Sequence, residues 1–82
     1  MDIAELKARL DQAGINKRAY SFDGDLPDER YVLSQEPNEI WEVYYSERGN
    51  KNELRLFFSE SDACQFFLDL LVKDPTTRRK IG

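Results

Sequence analysis

Apolar residues recur along the chain in two periodicities, and these divide it into helical and extended stretches. Ile3, Leu6, Leu10 and Ala13 follow one another at spacings of three and four, which predicts a helix from Asp2 to Ala13 with one narrow apolar stripe. Asp2 and Glu5 form an acidic variant of a capping box at its start. Glu5 and Arg9 are spaced to pair across one turn. Gly14 is placed to end the helix in a left-handed conformation, with Ile15 folding back onto it. A second helix is predicted from Ser59, its cap, to about Lys73. There Ala63, Cys64, Phe66, Phe67, Leu68, Leu70, Leu71 and Val72 leave only Gln65, Asp69 and Lys73 to break the apolar surface. A helix apolar around most of its circumference is buried on several sides. Asp69 and Lys73 have the favourable order for an ion pair, and Asp74-Pro75 ends the helix.

Between the helices the pattern shortens to alternation. Tyr31–Ser34, Ile40–Ser46 and Glu53–Phe58 read as three strands separated by Glu36-Pro37-Asn38-Glu39 and by a polar loop holding Gly49. Short connections make them an antiparallel meander. Residues 16–30 read as irregular, with a turn at Asp23-Gly24-Asp25 and a break at Leu26-Pro27. The fold class is therefore α+β: a two-layer domain, helix, three-stranded antiparallel meander, helix, in one unit spanning 1–82. Residues 76–82 read as a mobile basic tail. The second helix should lie on the sheet, and the first against the second on the same side. Trp41, Val43 and Tyr45 share one strand face, and Leu54, Leu56 and Phe58 are the more apolar set of the last strand, so both sets are assigned to the helices. This leaves Ile40, Glu42, Tyr44, Arg55 and Phe57 on an open face. The alternative is that the first helix or the 16–30 segment covers that face.

Charge and chemistry narrow the function more by exclusion than by motif. The net charge of −4 disfavours direct nucleic-acid binding, which needs a Lys/Arg footprint, and fits a basic protein partner. Histidine is absent, which removes the commonest general base and metal ligand. Cys64, the one cysteine, lacks a local base and sits among Phe and Leu as a small core residue. Asp23, Asp25, Asp28 and Glu29 crowd one segment, but they match neither the spacing of a calcium loop nor a cleft with divided acid and base roles. No Gly-rich phosphate loop and no nucleophile elbow is present. The expectation is a binding protein, not an enzyme, without cofactor, metal or catalytic residues. The mixed start of the chain, the lack of a long apolar stretch and the single thiol favour the cytoplasm, with no membrane contact.

The segments from Tyr20 to Tyr31, from Trp41 to Gly49 and from Asp74 to Thr77 resemble stretches of small bacterial immunity proteins. These are the cognate inhibitors of contact-dependent growth inhibition and related polymorphic toxin systems. The resemblance spans most of the chain and includes its length. It implies that the protein binds and neutralises the C-terminal domain of a toxin, many of which are nucleases, often RNases that cleave tRNA. The alternative role, from another class, is a non-catalytic adaptor that binds a host protein or peptide. The expected partner-binding residues are acidic ones that steer a basic toxin domain (Asp23, Asp25, Asp28, Glu29, Glu39, Glu42 and Glu47) with Trp41, Tyr44 and Phe57 as anchors.

Overall fold

The helix ends form where local side chains can satisfy the backbone. In the computed structural model, which describes residues 1–22, 24 and 29–79, helix α1 spans Ile3–Gln12 and helix α2 spans Glu60–Lys73. Asp2 accepts a hydrogen bond from the Glu5 amide at 2.8 Å, and Ser59 accepts one from the Asp62 amide at 3.3 Å. Gly14 has φ +76°, and the Ile15 amide donates back to the Leu10 carbonyl at 3.0 Å. That bond, with Gly14 N–H to Asp11 O, closes a Schellman turn and carries Ile15 into the core beside Leu10. The Glu5–Arg9 pair forms at 3.0 Å, whereas Asp69 accepts from Gln65 at 3.1 Å.

The sheet has four strands in the order β1-β2-β3-β4: Tyr20–Ser21, Arg30–Gln35, Trp41–Glu47 and Asn50–Phe57. The last three form the expected antiparallel meander. The short β1 was not expected; it pairs parallel to β2, so the sheet is mixed. Pro37 lies in the turn of the first hairpin, which Glu39 completes at φ +63°. Arg48 (φ +52°) and Gly49 (φ +78°) make the two-residue turn of the second.

Helix α2 lies on the sheet and α1 packs on α2, as the apolar faces of the two helices require. Leu6, Leu10, Ile15, Leu33, Val43, Ala63, Cys64, Phe67 and Leu71 form the core. Two bonds tie the starts of the helices together: the Ile3 amide to Glu60 Oε2 at 3.0 Å and the Met1 amino group to Ser61 Oγ at 3.0 Å.

The last strand departs from the predicted facing. The tight turn pairs Glu47 with Asn50 and Tyr45 with Asn52, a register that, if continued, would set Leu54 beside Val43 and Leu56 beside Trp41. A β-bulge intervenes. Val43 pairs with Arg55 and Trp41 with Phe57, so β4 carries one extra residue opposite Tyr44, with Glu53 at φ +55°. A one-residue slip reverses every side chain beyond it. Phe57 and Arg55 therefore face the helix layer, Phe57 against Phe66 with ring centroids 5.2 Å apart. Leu54, Leu56 and Phe58 are left 44%, 55% and 85% exposed.

The segment after α2 is docked where a mobile tail was expected. Pro75–Thr77 forms a 3-10 turn, and the Thr77 hydroxyl donates to the Leu71 and Asp74 carbonyls at 2.7 Å. The Asn16 amide donates to Thr77 O at 2.7 Å and the Arg79 amide to Gly14 O at 2.6 Å. The Arg79 guanidinium reaches Asp11, at 3.2 Å to Oδ1 and 2.8 Å to its carbonyl. Residues 80–82 lie outside the described residues.

Candidate partner-binding surface

The sheet face away from the helices is buried across β2 and β3. Cross-strand pairing puts Val32 beside Tyr44, Ser34 beside Glu42 and Ser46 beside Lys51. Val32, Ser34, Glu42, Tyr44 and Ser46 are all buried, and Ile40 is half-buried. Gly24 lies against this face: a methyl group on it would stand 3.8 Å from Ser34 Cβ and Oγ. The face expected to be open is thus buried at Glu42 and Tyr44.

Glu42 is held there as an ion. Lys51 Nζ donates to its carboxylate at 2.8 and 3.4 Å and sits 5.1 Å from the centroid of the Tyr44 ring. Burial opposes the ionisation of Glu42, but the hydrogen bonds from Lys51 and Glu36 and the Lys51 charge outweigh it and hold the carboxyl below its usual range. Glu36, which shares a hydrogen bond with Glu42 and feels its charge, is pushed up. The hydroxyls of Ser34, Tyr44 and Ser46 are buried nearby without a hydrogen-bond partner among the described residues. A charge confined among such groups depends on its counter-ion. Lys51→Met should therefore lower stability at neutral pH by about 1–3 kcal/mol, below the full buried-pair range because Lys51 is partly exposed. The sign with pH follows from Glu42. In the parent protein its stabilisation is complete above the ordinary glutamate pKa and is lost as pH falls through the lowered one. Without Lys51, burial favours the protonated acid, so the deficit should shrink from pH 7 to pH 4 in urea melts. A deficit that grows on acidification would contradict the pairing.

On the helix side an open groove runs between the sheet and the end of α2. Its floor is Tyr31 and Tyr45, directly opposite one another on β2 and β3 with edge-to-face rings 4.9 Å apart. Three adjoining hollows of about 220, 360 and 460 Å³ meet at this pair. Glu29, Glu47, Glu53 and Asp74 line them, against the guanidinium groups of Arg18 and Arg55. The carboxylates arrive from four places: the start of β2, the end of β3, the bulge of β4 and the turn after α2. Glu29 (φ +54°) and Glu53 both hold left-handed backbone conformations that a non-glycine residue adopts at a cost.

Asp74 anchors the groove. It accepts from the Thr76 hydroxyl at 2.7 Å, the Thr76 amide at 3.0 Å and the Tyr31 hydroxyl at 2.7 Å. These bonds hold its carboxyl below the ordinary range. Tyr31 is pushed up, by burial first and then by its bond to Asp74, and stays a neutral donor. Such a site can take a cation: carboxylates supply charge, and tyrosine faces supply apolar contact for a guanidinium or an alkyl ammonium.

The structure divides the expected binding residues. Glu29 and Glu47 come together in the groove. Glu39 is exposed at the far hairpin turn. Glu42 and Tyr44 are buried on the other face, while Trp41 and Phe57 pack against the core. Asp23, Asp25 and Asp28 lie outside the described residues. Tyr31, Tyr45, Glu53 and Asp74 escape a sequence reading because the groove assembles only in three dimensions; the shared face of Trp41, Val43 and Tyr45 was the one available signal. Burial, and then the Glu60 charge, push the Cys64 thiol up to about 11, as befits a core residue. Among the described residues no group of three or more Cys, Asp and Glu could hold a metal ion, and no helix is long and apolar enough to cross a membrane.

Comparison with protein-family models, with curated proteins and with solved structures finds no match to this chain.

Proposed function

We propose that this chain is a cytoplasmic immunity protein of a contact-dependent growth inhibition or related polymorphic toxin system. It binds the C-terminal toxin domain, a nuclease of the RNase or tRNase class, and neutralises it by occupancy without catalysis. The observation that carries the reading is the groove: four carboxylates around two tyrosines on an acidic chain. A nuclease holds a phosphate backbone with Lys and Arg. An acidic, tyrosine-floored groove presents those side chains with the charge they are built to meet, and the long-range field speeds the encounter. The resemblance of the Tyr20–Tyr31, Trp41–Gly49 and Asp74–Thr77 segments to immunity proteins supports the same role. Four of the groove residues, Glu29, Tyr31, Tyr45 and Glu47, fall inside the first two segments, and Asp74 opens the third. Co-purification with the toxin domain encoded upstream of the gene tests the proposal: a one-to-one complex is expected, and separate elution contradicts it.

A further inference from the structure

The bulge that turns Leu54, Leu56 and Phe58 outward leaves an apolar stripe on the long open edge of the sheet. β4 is the last strand in the order β1-β2-β3-β4, and the opposite edge, β1, is only two residues long. Proteins guard such edges with charges and bulges. Here Lys51 and the left-handed Glu53 guard the first half of β4, while the half from Leu54 onward has only Arg55, which faces the helix side. Continuing the register of the hairpin would have buried Leu54 and Leu56 beside Val43 and Trp41. Apolar side chains exposed in this way mark an interface.

We infer that this edge pairs with the same edge of a second copy, antiparallel and two-fold about Leu56. The register follows from the residues themselves. Pairing about Leu54 would run the ladder through the bulge at Glu53, and pairing about Arg55 would set like charges face to face. Pairing about Leu56 sets Leu54 against Phe58 of the other copy, Leu56 against Leu56, and Arg55 against Phe57. The three exposed apolar side chains of each copy then cover one another, no like charges meet, and each Arg55 gains an aromatic neighbour. The contact closes on itself, so it forms a dimer and not a fibre. A basic toxin surface fits this half-strand poorly, since its one charge is itself positive. The area of the pairing is that of one short strand pair, below a standard interface, so the dimer should be weak.

The test is sedimentation velocity of the full chain from about 10 µM to about 500 µM, the range where a weak dimer forms. The parent mass should rise from 9.6 kDa toward twice that value. Leu56→Lys and Leu56→Glu should each remain monomeric, because each sets two like charges on the two-fold axis. An equal mixture of the two should dimerise again, because the charges then oppose. Leu56 is 55% exposed, so both variants should keep the circular dichroism of the parent, a check that they fold. A parent chain monomeric throughout, a single variant that still dimerises, or a mixture that stays monomeric overturns the inference. Monomeric behaviour throughout would leave the edge to a different protein or peptide.

Discussion

Phe67→Ala should destabilise the protein by about 3–5 kcal/mol, the range for deleting a fully buried phenyl ring from a packed core. Phe67 is 0% exposed and holds the two layers together. It projects from α2 into the cluster with Leu33 and Val43 of the sheet and Leu6 and Leu10 of α1. Its ring also meets Phe22 at 5.9 Å and Tyr20 at 6.4 Å, centroid to centroid. Removing it uncouples α2 from the sheet, from α1 and from the 17–22 segment at once. A domain of 82 residues has a small core and little stability to spare. Each kcal/mol is worth roughly 4–8 °C at this size, so the thermal midpoint should fall by more than about 12 °C. Phe58→Ala, at 85% exposure, should move it by no more than a few degrees. Melting followed by circular dichroism separates the two, and a Phe67→Ala midpoint close to the parent's would contradict the packing described.

Reversing the groove charges should have the largest effect on binding. The triple variant Glu29→Lys, Glu47→Lys and Glu53→Lys should slow association with the toxin domain by about 10–100-fold at low salt. Dissociation should change less, because steering acts on the encounter. All three side chains are exposed. Lysine is no worse than glutamate at the left-handed positions 29 and 53, so the fold should survive. Raising ionic strength should bring the parent and variant rates together, since a Debye length of about 8 Å at physiological salt already screens exposed charges. Stopped-flow association across a salt series measures this directly. Equal rates at low salt would show that toxin capture does not use the groove.

How much of this was legible in the sequence depends on how far each feature reaches along the chain. The helix ends were legible because Asp2, Gly14 and Ser59 act on groups within a few residues. The facing of Trp41, Val43 and Tyr45 was legible because alternation held. Beyond Arg48-Gly49 it failed, since the bulge centres on Glu53, a residue without the glycine or asparagine signature of a left-handed position. The β1–β2 pairing and the docking of Thr77 and Arg79 onto the 11–16 segment depend on partners remote in sequence. The same holds for the site. Glu29 and Glu47 stood out as loop acids, but Tyr31, Tyr45, Glu53 and Asp74 acquire meaning only when β2, β3, β4 and the end of α2 meet. Glu42 and Tyr44 lie on the face the alternation assigns them, away from the helix layer, but they are buried there, which alternation alone does not reveal.

Neutralisation by binding is tested by titrating the toxin domain's nuclease activity with this protein. Activity should fall linearly to zero at one equivalent, and the groove triple variant should need a large excess for the same effect. Full nuclease activity in the presence of a molar excess of the parent protein would contradict the account.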